Sequence, residues 1–344
     1  MRCAVLYGIK DLKLATRETI EPGDGEVLVK IKAAAICGTD IRMWQNGAPN
    51  KHNIVMGHEV AGDIESFGAG VEGYQIGDKV AVAPNFGCGT CDLCVAGRGH
   101  MCAGLKALGI NMDGGFSEYM IVPAKAVRQG NISRLKKGTS YEQATIVEAL
   151  ACVYNGFETC NISPGESVLI IGAGPIGMMH AMLANMAGAS KIILHDISEQ
   201  RLEFCKKTIG IKNIYHGNGL KQYIMEETNE KGVDVLITAC PSPDAQAASI
   251  ELMANYGRIN FFGGLPKTKE KVELNTNTIH YKNLIVTGST RSSLAQYRKS
   301  LALVEEGVLD ISPLVTDRFD LKDIVPALEY AAAGKGIKSI IAFD

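Results

Sequence analysis

A glycine-rich turn between two apolar segments constrains the fold of this chain more than any other feature. In SVLIIGAGPIGMM, Gly172, Gly174 and Gly177 form a G-x-G-x-x-G motif after the strand pattern of residues 167–171. Gly172 permits a tight turn, Gly174 lets the backbone approach a pyrophosphate, and Gly177 lets the next helix pack close to the strand. The helix N-terminus favours an anion through its free N–H groups and its dipole. The motif therefore predicts a dinucleotide site; a glycine-punctuated turn without a ligand is the alternative.

The segments around this motif alternate between strand patterns and helix patterns. Such alternation predicts a parallel, doubly wound sheet, and hence an α/β fold in this part of the chain. The strand patterns cover residues 167–172, 191–196, 233–239 and 258–264, and the helix patterns cover residues 175–188, 198–210 and 243–257.

A carboxylate ends the next predicted strand, about 20 residues after the glycine motif. Asp196 at this position can accept hydrogen bonds from both hydroxyls of an adenosine ribose, and it repels a 2′-phosphate. We therefore expect NAD rather than NADP as the cofactor. Arg201 lies in the helix pattern that follows, where it would flank the adenosine and weaken that preference.

The first third of the chain is rich in short apolar runs that glycine interrupts, which predicts a β-rich domain. Its strand patterns cover residues 3–7, 26–37, 58–68, 78–84 and 117–123. Residues 140–160 predict one long helix with Ser140 as its N-cap. Towards the end of the chain, helices predicted at 293–307 and 321–333 precede a final strand at 340–344.

Four of the ten cysteines are concentrated in one short segment, NFGCGTCDLCVAGRGHMC. Clustered cysteines in a chain without a secretory signal are read as metal ligands before disulfides. Four thiolates on one loop can close a tetrahedron around Zn²⁺ and leave no open position, which is a structural site. A metal-free cysteine cluster and an iron–sulfur cluster are the alternatives. The predicted ligands are Cys88, Cys91, Cys94 and Cys102.

A second set of possible metal ligands is dispersed along the chain. Cys37 ends an apolar strand pattern in ICGTD, His58 and Glu59 stand in MGHEVAG, and Glu148 lies in the long helix. Three protein ligands with one labile position form a catalytic type of zinc site. From the residues alone, His58 could equally be a hydrogen-bonded structural histidine near glycine.

Composition and charge exclude several functional classes. The 35 Lys and Arg residues nearly balance the 37 Asp and Glu residues, so neither a strongly basic nucleic-acid binder nor an acidic disordered tail is expected. No apolar run approaches the roughly 18 residues that a membrane span needs. The first residues, MRCAVLYGIKDLKLA, lack the apolar core of a secretory signal. We therefore expect a cytoplasmic protein with no nucleic-acid or membrane partner.

Several motifs together resemble those of the zinc-dependent medium-chain dehydrogenases over essentially the whole chain. ICGTD, the zinc signature GHEVAGDIESFGAGV, the four-cysteine segment, DGGFSEY and GAGPIG stand in the order of that family. The resemblance implies a GroES-like β-rich catalytic domain at residues 1–145, with a structural-zinc lobe at 85–104. It also implies a Rossmann NAD-binding domain at residues 146–282, and a return segment at 283–344 that completes the catalytic domain.

Within the family, the chain looks most like the polyol branch, of which sorbitol (L-iditol) dehydrogenase is the model. This resemblance implies that Cys37, His58 and Glu59 bind the catalytic zinc, and that Glu148 binds it directly or through a water molecule. Liver-type alcohol dehydrogenases carry a second cysteine where VEALACVYNG offers Glu148. Thr39 matches the hydroxyl that starts the family's proton relay; a threonine that bonds its own backbone is the alternative.

The same resemblance extends to the substrate and the cofactor. TGSTRSS is similar to the sorbitol dehydrogenase segment that carries an arginine at the substrate hydroxyls, which implies that Arg291 lies in the pocket. A surface arginine near a helix start is the alternative. The residues implied to line the NAD are Pro175, Ile176, Gly263, Gly264, Leu265, Ser289, Thr290 and Arg291.

One position departs from the family pattern. Relatives often carry a histidine three residues after Thr39, where this chain has Arg42, and arginine cannot act as a general base because it stays protonated. Arg42 would then serve substrate binding, since a guanidinium suits a phosphate or carboxylate, or the relay exits through solvent or Glu148. Met43 replaces an aromatic residue of sorbitol dehydrogenases, and Trp44 would take over stacking on the carbon chain.

The motifs therefore predict an oxidoreductase with NAD and two zinc ions per chain, one catalytic and one structural. The predicted reaction oxidises a secondary alcohol of a polyol to a ketose. The alternatives on the same fold are a polyol-phosphate dehydrogenase of the galactitol 1-phosphate type, and a dehydrogenase of L-threonine or another secondary alcohol. A zinc-free quinone reductase and a non-catalytic binding protein are further alternatives. The resemblance also implies a homo-oligomer, a tetramer or dimer, with an interface near Leu265 and residues 284–286.

Overall fold

The computed structural model describes residues 1–49 and 53–343, which form two compact units. Unit 1 comprises Met1–Ala151 and Ser292–Asp344, and unit 2 comprises Cys152–Arg291. The chain thus begins in unit 1, forms unit 2 from one continuous stretch, and returns to unit 1.

The strands follow the apolar runs of the sequence, with turns at glycine and proline between them. They are β1 (Arg2–Gly8), β2 (Asp11–Thr16), β3 (Val27–Ala35), β4 (Ile54–Val55), β5 (Glu59–Phe67), β6 (Lys79–Val82), β7 (Asn85–Phe86), β8 (Lys106–Ala107), β9 (Tyr119–Val122), β10 (Ile132–Arg134), β11 (Ser167–Ile171), β12 (Lys191–His195), β13 (Asn213–Tyr215), β14 (Val233–Thr238), β15 (Met253–Phe261), β16 (Ile285–Gly288), β17 (Val315–Asp320) and β18 (Lys338–Ala342).

The helices begin after polar or glycine N-caps in most cases, such as Ser198, Ser242 and Ser293, whose hydroxyls accept backbone N–H groups of the first turn. They are α1 (Gly38–Asn46), α2 (Asp92–Val95), α3 (Ala124–Gln129), α4 (Tyr141–Cys160), α5 (Pro175–Met186), α6 (Glu199–Ile209), α7 (Leu220–Glu227), α8 (Pro243–Ser249), α9 (Thr276–Lys282), α10 (Leu294–Glu305) and α11 (Ile324–Ala332).

Unit 1 is built mainly from antiparallel sheets. Its larger sheet has the strand order β10-β6-β5-β3-β18-β17, and β9 also pairs with β3. The register places Ile340 of β18 opposite Ala35 of β3, so the end of the chain joins a strand from its beginning. The core beneath it contains aliphatic and aromatic side chains such as Ile31, Phe116 and Leu328. The β-rich character predicted for the first third is therefore confirmed.

Unit 2 contains one parallel sheet with the order β13-β12-β11-β14-β15-β16. Numbered within the unit this is 3-2-1-4-5-6, the order of the dinucleotide-binding Rossmann fold. Val168–Ile171 of β11 are buried, as expected for a strand covered on both faces. The predicted doubly wound sheet is confirmed.

One helix prediction was wrong in its extent. Residues 243–257 carry a helix pattern, yet α8 ends at Ser249, a short 3₁₀ turn follows, and β15 begins at Met253. The pairing of β15 with β14 shifts register between Val233 and Val235, and Tyr256 has a φ of 61°. Residues 253–257 therefore enter the sheet as an irregular strand start, because the pairing of Met253 with Val233 of β14 outweighs local helix propensity.

The membrane prediction concerns helix length and apolar character. Across residues 1–49 and 53–343, no helix combines the length and apolarity that crossing a bilayer requires.

Candidate functional site

Cys37 lies at the start of α1 and not at the end of a strand. It is the N-cap residue of that helix, and its N–H donates a 2.9 Å hydrogen bond to Oδ2 of Asp40 in the first turn. This side-chain contact back to the cap is one half of a capping box and fixes where the helix begins.

His58 and Glu59 lie at the start of β5, a segment separate from the helix that carries Cys37. Gly57 before them has a φ of 91°, and a Cβ there would come within 2.8 Å of the backbone nitrogen of Phe116. Only glycine therefore fits at this turn. The turn buries the side chains of His58 and Glu59, which are 3% and 0% exposed.

The three predicted ligands converge in unit 1. One ligand atom each from Cys37, His58 and Glu59 lies within 4.8 Å of the other two. Glu148 on α4 is buried but lies outside this cluster. Its charge still acts on the site, because it helps to raise the pKa of Lys338 and of the buried Tyr297 hydroxyl.

Two residues of this site were not singled out by the sequence reasoning. Asp40 is fully buried, and its Oδ1 lies 3.2 Å from Nδ1 of His58. Lys338 on β18 is 3% exposed and forms an ion pair with Oε2 of Glu59. The family motif ICGTD contains Asp40 at helix position N3, where a carboxylate is favourable, so that signal was present. Nothing local in KGIKSIIAF marks Lys338.

The electrostatics of the cluster suit a cation. Burial acts to lower the pKa of His58, but the negative charges of Asp40 and Cys37 prevail and hold it well above its usual value. Burial likewise opposes a charged Lys338, yet Glu59, Cys37 and Glu148 hold the pKa of that amine above its usual value. The negative groups of this cluster thus favour a positive charge close to them.

An unpartnered buried atom provides a test of whether a metal fits. Oε1 of Glu59 is buried and lacks a hydrogen-bond partner among the described residues, whereas Nδ1 of His58 and Oδ1 of Asp40 lie 3.2 Å from each other. Buried polar atoms are normally satisfied, so the Glu59 oxygen indicates a missing partner. A thiolate, an imidazole and a carboxylate are ligands that Zn²⁺ accepts, with a fourth position left over. The residues present fit a catalytic zinc ion.

The four-cysteine lobe fits a second zinc ion. The Sγ atoms of Cys88 and Cys94 are 3.9 Å apart, and those of Cys91 and Cys102 are 3.7 Å apart. A tetrahedron with Zn–S bonds of about 2.3 Å has edges of about 3.8 Å. A Cβ on Gly87 would lie 2.4 Å from the Cys94 sulfur, so glycine is needed for this approach.

The pKa values of neighbouring cysteines in the lobe shift in opposite directions. The N–H groups of Thr90 and Cys91 lower the pKa of Cys88 to about 5. The N–H of Gly89 acts to lower the pKa of Cys94, but burial and the neighbouring cysteines raise it to about 11. Four sulfurs this close cannot all be ionised alone, and a divalent cation removes that repulsion.

The glycine motif of unit 2 joins β11 to α5 as its spacing predicts. Gly172 has a φ of 113°, and Gly174 is the N-cap of the twelve-residue helix α5, with Pro175 at its first position. A Cβ on Gly177 would lie 1.7 Å from the carbonyl oxygen of Gly172. Ile176 is half-buried beside the turn. The helix N-terminus therefore has room for a pyrophosphate.

Asp196 follows β12 and braces the same turn. Its Oδ2 accepts a 2.6 Å hydrogen bond from the N–H of Ala173, and its Oδ1 accepts one of 2.8 Å from Ser198. Each carboxylate oxygen keeps a further lone pair for a ribose hydroxyl. The guanidinium of Arg201 lies 3.9 Å from the position that a Cβ on Gly174 would take. Both residues thus lie at the predicted adenosine end.

The remaining predicted cofactor residues follow β15 and β16. Because the strands are parallel, these residues lie at the same sheet edge as the glycine motif. The hydroxyl of Ser289 donates a 3.0 Å hydrogen bond to Oδ1 of Asn260. Arg291 is exposed with a φ of 56°, and Asn155 donates to its carbonyl oxygen at 2.9 Å. The residues after these two strands are Gly263, Gly264, Leu265, Ser289, Thr290 and Arg291.

The predicted substrate residues of α1 differ in their surroundings. Arg42 is exposed and donates a 2.9 Å hydrogen bond to the hydroxyl of Thr39. Met43 and Trp44 are 4% and 7% exposed and belong to the apolar core of unit 1. Their contact with a substrate stays a prediction.

His180 in α5 is a further residue that the sequence reasoning missed. It is 1% exposed, neither ring nitrogen has a hydrogen-bond partner among the described residues, and burial lowers its pKa to about 3. Its ring packs edge-on against Phe262, with centroids 4.9 Å apart, and it faces Gly156 of α4. An imidazole in such a place is neutral.

Two family models match the chain. Residues 23–132 match the alcohol dehydrogenase GroES-like domain, and residues 175–306 match the zinc-binding dehydrogenase domain.

Individual proteins match over nearly their whole length. An L-threonine 3-dehydrogenase of Pyrococcus horikoshii is 35% identical over 325 residues, which cover 92% of this chain and 90% of that protein. A sorbitol dehydrogenase of Bacillus subtilis is 30% identical over 338 residues, with coverage of 96% and 93%. The crystal structure of an Escherichia coli alcohol dehydrogenase in complex with NADH superposes with a TM-score of 0.91 at 27% identity, covering 100% of this chain and 99% of that one.

Proposed function

The chain belongs to the zinc-binding dehydrogenases with a GroES-like domain, and from this premise we propose that it oxidises a secondary alcohol of a polyol to a ketose with NAD. The observation that carries the proposal is the convergence of Cys37, His58 and Glu59, together with the buried, unpartnered Oε1 of Glu59. Membership of this family supports a zinc site that acts on an alcohol.

In this proposal, Cys37, His58 and Glu59 hold the catalytic zinc, and Glu148 holds it directly or through water. Zinc at this site supplies Lewis acidity, which lowers the pKa of an alcohol. Asp40 lies behind His58, where a carboxylate orients a ligating imidazole and fixes its tautomer. Cys88, Cys91, Cys94 and Cys102 hold the structural zinc.

The protein's own groups orient the substrate and handle its proton. The hydroxyl of Thr39 donates a hydrogen bond to the substrate oxygen, and Glu148 accepts or relays the proton that leaves the alcohol. Arg291 binds other hydroxyls of the polyol. Arg42, Met43 and Trp44 complete the substrate contacts in this proposal.

NAD accepts the hydride, which is the cofactor's own chemistry. The N-terminus of α5 binds the pyrophosphate, and Asp196 binds the adenosine ribose and disfavours the 2′-phosphate of NADP. The NADH complex of the similar Escherichia coli protein supports a nicotinamide cofactor. The residues from Gly263 to Leu265 and from Ser289 to Arg291 line the rest of the cofactor.

Two other substrates are supported by specific observations. The 35% identity to an L-threonine 3-dehydrogenase favours L-threonine. The exposed guanidinium of Arg42 on the helix that carries Cys37 favours a phosphorylated polyol. The 30% identity to a sorbitol dehydrogenase supports the free polyol that we place first.

The test is NADH formation by the zinc-replete protein. The substrates are sorbitol, xylitol, L-iditol, galactitol, galactitol 1-phosphate and L-threonine, with NADP in parallel and Cys37→Ala as the inactive control. Turnover of a free polyol supports the proposal. Turnover confined to the phosphate or to L-threonine replaces it with that alternative, and turnover of none contradicts all three substrates.

Quaternary structure and location belong to the same proposal. We place the enzyme in the cytoplasm, because ten free cysteines with clustered thiolates suit a reducing compartment. A homo-oligomer, dimer or tetramer, would pair through the sheet edge at β16, where Ile285 is 55% exposed. Light scattering coupled to size-exclusion chromatography measures the assembly.

A further inference from the structure

A buried lysine contacts the candidate catalytic metal ligands. Lys338 on β18 is 3% exposed; its Nζ forms an ion pair with Oε2 of Glu59 and donates to the carbonyl oxygen of Ile36 at 3.3 Å. Lysine is almost never fully buried unless it is paired. Its place beside a predicted zinc ligand therefore calls for a function.

The two carboxylate oxygens of Glu59 have different surroundings. Oε2 accepts from Lys338, whereas Oε1 is buried and has no hydrogen-bond partner among the described residues. A buried carboxylate oxygen without a partner is unfavourable. The oxygen left over belongs to the same carboxylate that converges with Cys37 and His58. Oε1 is thus the atom available to a cation.

We propose that Lys338 is a positioning residue of the catalytic metal centre, which makes Glu59 a ligand through Oε1 alone by occupying Oε2. A carboxylate can bind a metal through one oxygen or through both. With one oxygen tied to Lys338, Glu59 takes a single coordination position. One position then stays open for the substrate alcohol, as a catalytic zinc site requires. This inference rests on the proposed function, because it assumes zinc at this site.

The strand itself does not depend on this ion pair. β18 is held to β3 by backbone pairing, with Ile340, Ile341 and Ala342 opposite Ala35, Ala34 and Ala33. The backbone hydrogen bonds of this pairing already hold the strand in place, so an ion pair at Lys338 is not needed for that purpose. The surroundings are also rich in acidic groups, because Glu59, Cys37 and Glu148 all act on the charge of Lys338. The ammonium is the protein's own countercharge there.

The test compares Lys338→Met, which keeps the aliphatic stem, with Lys338→Arg, which keeps the charge. Cobalt(II) replaces zinc at the Cys37 site of the full chain while the four-cysteine site keeps zinc, which metal analysis verifies. Four-coordinate cobalt absorbs visible light more strongly than five-coordinate cobalt, so the spectrum reports the coordination number. The exposed Lys322→Met is the matched control.

We expect Lys338→Met to lose several-fold of its visible cobalt absorption, because both oxygens of Glu59 then bind. Metal affinity should not decrease, because the variant removes a positive charge beside the cation and frees a second ligand oxygen. The KM for the alcohol should rise while the KM for NAD is unchanged. Lys338→Arg and Lys322→Met should retain the native spectrum.

A double variant covers the case in which Lys338→Met does not fold. Lys338→Met with Glu59→Gln removes both charges, and an amide binds a metal through its single carbonyl oxygen. Its cobalt spectrum should return to the four-coordinate form. A native cobalt spectrum in Lys338→Met overturns the inference, and so does a five-coordinate double variant. If the wild-type protein binds no metal at Cys37, the proposed function itself fails.

Discussion

Arg42 donates a 2.9 Å hydrogen bond to the hydroxyl of Thr39, one turn earlier in α1. A guanidinium is always protonated and has no acceptor, so Thr39 cannot pass a proton to it. The contact instead occupies a lone pair of the hydroxyl and leaves its proton free for a substrate oxygen. Where the family often has a relay histidine, this chain has a fixed positive charge.

Replacing Arg42 by methionine should therefore weaken the reaction of the alcohol. We expect kcat/KM for the alcohol to fall about tenfold, since a hydrogen bond to a charged group contributes about 1.5 kcal/mol or more. The KM for NAD should not change. Steady-state kinetics with each substrate varied provides the measurement, and Arg128→Met, another exposed arginine, is the control. Equal loss for the alcohol and NAD would contradict a local role at Thr39.

The two metal sites should respond differently to loss of one cysteine. Cys37→Ala should retain the fold and the structural zinc but have no measurable turnover. Cys91→Ala should first lose stability, by several kcal/mol, because a closed metal site contributes folding free energy. Zinc analysis and thermal unfolding of both variants distinguish the two outcomes. Equal thermal stability of Cys91→Ala and the wild type would contradict a structural role for the lobe.

Asp196 should determine the choice of cofactor. Asp196→Asn removes the charge that repels a 2′-phosphate but keeps one acceptor for the N–H groups of Ala173 and Ser198. We expect about tenfold weaker NAD binding and a shift of the kcat/KM ratio towards NADP. The exposed Asp244→Asn serves as the control. An unchanged cofactor ratio would place the adenosine ribose elsewhere.

His180 should make stability depend on pH. Its folded pKa of about 3 lies below the usual value of 6.5, so between these values the unfolded chain binds a proton that the folded chain does not. The neutral His180 therefore makes its full contribution to the free energy of unfolding above pH 6.5. Below that pH, the free energy of unfolding falls by about 1.4 kcal/mol for each pH unit. From pH 7 to pH 5, the wild type should lose about 2 kcal/mol more than His180→Leu.

Denaturant unfolding at the two pH values measures this difference. His216→Leu, which removes a partly exposed imidazole near the surface, is the matched control and should behave as the wild type does. Acid release of zinc affects all three proteins alike and cancels in the comparison. Parallel pH profiles of stability for the wild type and His180→Leu would contradict the prediction, because they would show that burial does not lower the pKa of His180.

Much of the fold was predictable because its signals are local. The G-x-G-x-x-G spacing and the apolar runs around it act within one strand–turn–helix unit, and the structure places Gly172 and Gly177 in the expected roles. Residues 253–257 were predicted as helix because they continue the helix pattern that begins at Pro243. They instead start β15, where Met253 pairs with Val233 of β14, and this contact outside the local segment outweighs local preference.

The residue types and their spacing already specify which chemistry the site can offer. The spacing of Cys88, Cys91, Cys94 and Cys102 restricts them to one loop, and residue type makes a cysteine or a histidine a candidate metal ligand. How the dispersed ligands are held depends on contacts between distant segments. Lys338 lies 279 residues from Glu59 along the chain, and pairing of β18 with β3 brings them together. A lysine at the start of a short apolar strand carries no local sign of such a partner, because its burial is decided by the far end of the chain.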